Sequence, residues 1–90
     1  MNHSEIVFVA ATSRAAAVAG AIAHKLRNER RCVVQAVGPA AVNQAVKAVA
    51  VARMYLADDG VSIVMTPSFI NVEIDGNERT AMRLTVEVSK

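Results

Sequence analysis

The chain has 90 residues, a formal net charge of +2, 53% apolar but only 3% aromatic side chains, and one cysteine. That length allows a single domain over residues 1–90 with a core of modest stability, for which oligomerisation is a common remedy. The composition gives no large aromatic core and no aromatic platform for stacking bases. The mild charge permits phosphate contacts without requiring them, and the lone Cys32 excludes a disulfide framework or a thiolate metal site.

Along the chain, Glu5 to Ala11 (EIVFVAA) is a short apolar run that reads as a strand covered on both faces. Thr12-Ser13 offers an N-cap, and a helix is predicted from Arg14 to about Arg30. Its inner stripe is Ala15, Val18, Ala19, Ile22 and Leu26, with His24, Arg27, Asn28 and Arg31 opposite. Arg31 to Val37 (RCVVQAV) is a second strand in which Cys32 is expected as a buried thiol. Gly38 ends it, and Pro39 suits the first turn of a helix running to about Ala57. Val42, Ala45, Val46, Val49, Ala52 and Leu56 are its expected inner positions. After the turn signal Asp58-Asp59-Gly60 comes the strand VSIVMT, interrupted at Pro67, which implies an edge position or a bulge. The strand resumes as FINVEI, turns at Asp75-Gly76-Asn77 and returns as TAMRLTVEV with clean alternation.

The element order is β-α-β-α-β-β, an α/β two-layer sandwich: a mixed four-stranded sheet with two helices on one face. If the first two strands are parallel neighbours, the N-termini of both helices meet at one edge of the sheet. That edge gathers Thr12, Ser13 and Arg14 with Gly38, Asn43, Gln44 and Lys47, and its free backbone N–H groups suit a phosphate. Arg27, Arg30 and Arg31 belong at the opposite edge, where they complement the negative end of the first helix. The later turns of the second helix are apolar nearly all round, so Ala48, Val51, Met54 and Tyr55 are expected to meet a partner subunit in a homodimer.

Enzyme signatures are absent: no GxSxG, no Walker loop, no GxGxxG, and no nucleophile with a base in reach. His3 and His24 do not make a metal site, so no catalytic residue, metal or cofactor is expected. The amino-terminal run lacks a basic leader and is broken by Ser13 and Arg14, which fits neither a signal peptide nor a membrane span. The expected location is cytoplasmic, where the sequon Asn2-His3-Ser4 carries no meaning.

Three blocks, VAGAIA (Val18 to Ala23), VQAVGPAAVNQAVKAVAVAR (Val34 to Arg53) and NERTAMRLTVEV (Asn77 to Val88), resemble the stage V sporulation protein S family, which has an Alba-like fold. The resemblance implies a dimeric regulatory protein that binds DNA or RNA and acts in sporulation or bacterial cell development. It also implies contacts from three places: Ser13 and Arg14 in the first loop, Asn43, Gln44 and Lys47 at the start of the second helix, and Arg79 with Arg83 on the hairpin. The chain departs from the family pattern at Thr12, where a lysine is usual, at Ala15 and Ala16 in place of Pro and Asn, and at Thr66 and Asn71. Arg14 is left as the lone cation of its loop. The alternative is a protein-interaction or assembly module that uses the second-helix face and the hairpin 71–83, whose tip carries Glu73, Asp75 and Glu78.

Overall fold

A computed structural model describes residues 5–89; His3 and the Asn2-His3-Ser4 sequon lie outside them. The elements follow the predicted order: β1 (Ile6–Val9), α1 (Ala15–Glu29), β2 (Arg31–Ala36), α2 (Pro39–Ala57), β3 (Ile63–Ile74) and β4 (Asn77–Val88). They build one sheet in the order β1-β2-β4-β3, with β1 and β2 parallel and the other pairs antiparallel.

Alternation along the strands decides which face is buried. Val7 and Val9, Cys32, Val34 and Ala36, and Met82, Leu84, Val86 and Val88 pack with Ala19, Ile22 and Leu26 of α1 and Ala45, Val49 and Leu56 of α2 in one core. The two helices therefore share one face of the sheet. Alanine supplies nearly half of the buried apolar positions among the described residues. Small side chains bring helices and sheet close together, and they leave much of the burial to a few larger residues.

Local chemistry explains the boundaries. Arg30 closes α1 in the left-handed conformation (φ 63°), its N–H donating to the Leu26 carbonyl. At the hairpin, Asp75 (φ 52°) and Gly76 (φ 79°) both take positive φ, as a type I′ turn requires. Pro67 does not interrupt β3, which pairs residue for residue from Ile63↔Val88 to Ile74↔Asn77 without a bulge. The edge position is the explanation: β3 pairs only with β4, so a missing N–H on its outer side breaks no ladder bond.

Three expectations need correction. Thr12 and Ser13 do not cap α1, because the helix starts at Ala15 behind Arg14. The first strand is not covered on both faces: Phe8 is 68% exposed, on the side away from the helices. Finally, α2 is rolled from its expected orientation. Val46 is 41% exposed, while Ala41 and Ala48 are buried in its place. A helix apolar on most sides carries no polar marker for its inward face, and close packing against α1 through small alanines settles it.

Cys32 is buried as expected, and burial pushes its thiol up from 9.0 to about 11, with Lys25 opposing and Glu29 reinforcing the shift. A thiol with a raised folded-state pKa contributes stability below the unfolded value, and that contribution is lost as pH climbs from 9.0 toward about 11. At pH 8 the folded protein should resist iodoacetamide while the urea-unfolded chain reacts readily. Equal labelling of both, read by mass spectrometry, would contradict the burial.

Candidate functional site

The parallel strands β1 and β2 end at the same edge of the sheet, and each leads into a helix. The turn into α1 is held by two hydrogen bonds: the Ser13 N–H donates to the Ala10 carbonyl (3.0 Å), and the Ala10 N–H donates to Ser13 Oγ (2.8 Å). Ser13 thus closes its own loop. Arg14, extended at φ −84° and ψ 118°, takes the N-cap position without any side-chain hydrogen bond to the first turn. Gly38 caps α2 in the same uncovered way, at φ 91°, with Pro39 at the first helical position. Neither first turn carries an acidic residue. Two positive helix ends therefore lie together with backbone N–H groups that no side chain covers.

Gln44 locks the two ends to each other. Its Nε2 donates to the Ser13 carbonyl at 2.7 Å in a partly buried contact between residues 31 apart in sequence. One turn away, Asn43 and Lys47 are exposed neighbours at i and i+4, and Arg14 is exposed on the facing loop.

The hairpin belongs to this edge only in part. β2 ends where Ala36 pairs with Met82, so residues 70–74 and 77–81 project past it as a two-stranded arm. Arg79 is exposed on that arm. Arg83 instead lies opposite Gln35 on the sheet face away from the helices, its Nε donating to Gln35 Oε1 at 2.8 Å. Of the expected site residues, Ser13, Arg14, Asn43, Gln44 and Lys47 come together at the edge; Arg79 extends from it, and Arg83 sits behind it.

Two of the three arginines at the opposite edge are paired with carboxylates. Arg27 Nε meets Asp59 Oδ2 at 3.0 Å, and Arg31 Nε meets Glu87 Oε2 at 3.8 Å. Arg14, Lys47 and Arg79 have no acidic partner among the described residues. The edge where the helices begin thus keeps its cations available.

A family model for stage V sporulation protein S matches residues 5–89. The chain belongs to that family. Among solved structures, it is similar to Alba from Thermoplasma volcanium, with a TM-score of 0.62 over 96% of this chain and 100% of that one, at 14% identity. At such identity the likeness speaks for the fold alone.

In this stage V sporulation protein S family member, the α2 surface divides differently from expectation. Ala48 is fully buried within the subunit and has no surface to offer a partner. Val51 is partly buried against the core. Met54 (68% exposed) and Tyr55 (39%) do face outward, joined by Val46. Met54 also lines a cleft of about 340 Å³ with Arg53, Ala57, Gly60, Val61 and Ser62.

A second cleft, of about 250 Å³, opens at the ends of β1 and β2 between Phe8, Gln35 and the first turn of α2. Sequence reasoning missed both residues. A glutamine inside the apolar run CVVQAV was a usable signal for Gln35. Nothing marked Phe8, because its neighbours on both sides are equally apolar. Among the described residues no three His, Cys, Asp or Glu side chains are placed to hold a metal ion, and no helix is long and apolar enough to cross a membrane.

Proposed function

We propose that this sporulation protein S family member is a small, non-catalytic regulatory protein that binds nucleic acid as a homodimer, with phosphates held at the edge where both helices begin. The observation that carries the reading is the Gln44–Ser13 hydrogen bond, which clamps two uncapped helix ends side by side with Arg14 and Lys47 exposed around them. Backbone N–H groups and helix dipoles favour an anion there, and the unpaired cations extend the attraction outward. Family membership and the Alba-like fold support the same reading.

Few cations mean few phosphate contacts. Binding of labelled DNA and RNA at several salt concentrations should give a shallow logarithmic slope, roughly −2 to −4 per dimer. Lys47→Glu should weaken binding severalfold and flatten the slope by about 1 for each subunit. An absence of binding at ~50 mM salt, or a Lys47→Glu variant that behaves as wild type, would sink the reading. The protein-interaction module would then take its place, with the acidic arm, where Glu73 and Glu78 face each other across the ladder, as its contact.

A further inference from the structure

The composition argues against base stacking, yet two of the chain's three aromatic side chains, Phe8 and Phe69, stand out into solvent. Phe8 is the informative one, because it borders a cavity. The cleft at the ends of β1 and β2 is lined by Phe8, Ala10, Ala11, Gln35, Val37 and Ala41, among others. Its volume of about 250 Å³ falls below the ~300–1,000 Å³ typical of sites for a free small molecule. Such a cleft suits one flat, mostly apolar group attached to something larger.

Two polar features indicate what that group is. Gln35 is 8% exposed, and its Oε1 already accepts from Arg83, which fixes the plane of the amide. Its NH2 group makes no hydrogen bond with any described residue, so a donor remains at the wall of an otherwise apolar cleft. Ala41, on the opposite wall, lies in the first turn of α2, whose N-terminus carries no side-chain cap. An aromatic face, one buried amide and an anion-favouring helix end are adjacent. A nucleotide has the matching parts: a planar base with a hydrogen-bonding edge, joined to a phosphate.

We propose that this cleft takes one unpaired nucleobase of a single-stranded nucleic acid, stacked on Phe8 and hydrogen-bonded by Gln35, with its phosphate toward the start of α2. The proposal rests on the nucleic-acid reading above and narrows it to strands with a free base. A base held in a duplex presents only its edges and cannot enter.

Phe8 is exposed on an edge strand, so its replacement leaves the core intact. The test uses the full chain with short RNA and DNA strands carrying 2-aminopurine, and with duplexes of the same sequences, at ~50 mM salt. The wild type should bind strands more tightly than duplexes and quench 2-aminopurine. Phe8→Ala should weaken strand binding about tenfold and abolish the quenching, and Phe8→Tyr should restore both. Duplex binding should be the same in all three proteins. If Phe8→Ala binds strands like wild type, or if only duplexes bind, the cleft assignment is overturned while the nucleic-acid reading stands. If neither strands nor duplexes bind, both fail. Comparing RNA with DNA strands shows which sugar the site accepts.

Discussion

Replacing Ile22 with alanine should cost the protein about 3 kcal/mol and lower its thermal midpoint by roughly 10–20 °C. Ile22 is fully buried at the centre of α1 and is among the largest of the completely covered side chains. Its neighbours in the core include Ala19, Ala23, Ala45 and Ala48, residues with no side-chain length to swing into a void. A core built on alanine collapses poorly around a deletion, so the cavity term adds nearly in full to the lost transfer energy. Val46→Ala supplies the contrast. Sequence periodicity puts Val46 in the same core and predicts a comparable loss, whereas its 41% exposure predicts less than about 1 kcal/mol. Melts followed by circular dichroism at one protein concentration decide the matter, since subunit association shifts midpoints by mass action. A large loss at Val46 would mean that α2 is rolled differently.

That contrast marks where sequence reasoning reaches its limit. The order of elements was legible because the apolar period changes along the chain and because Gly38-Pro39 and Asp75-Gly76 are strong punctuation. The edge of the candidate site followed from topology alone: two parallel strands, each leading into a helix, bring both helix starts to one side. What topology cannot supply is rotation about an axis and choice of face. The roll of α2 depended on which alanines nest against α1, a question of shape between distant residues. Arg79 and Arg83 look equivalent in sequence, yet the register Gln35↔Arg83 ties the second to the back of the sheet. Gln44 looked like a phosphate contact and proves first to be a clamp on a loop 31 residues earlier. Phe8 was invisible because the run IVFVAA is apolar at every position, while the helices cover only one face of the sheet.

The roll of α2 also changes the test of the proposed dimer. Met54→Asp should convert a dimer to a monomer in light scattering at micromolar concentration, while the fold and its melting cooperativity persist. Met54 is 68% exposed in the isolated subunit, so an aspartate there meets water and leaves the fold undisturbed. In an interface it would be an unpaired buried charge, costing about 3 kcal/mol or more, which raises the dissociation constant roughly a hundredfold. Val51→Asp is the weaker experiment, because Val51 packs against the core and its loss would mix unfolding with dissociation. Dimerisation and binding are then linked through salt. A monomer presents one copy each of Arg14, Lys47 and Arg79, so its salt slope should be about half that of the dimer. A wild type that is already monomeric would remove the α2 interface from the proposal. A monomeric Met54→Asp variant that keeps the full wild-type slope would show that each subunit holds its phosphates alone.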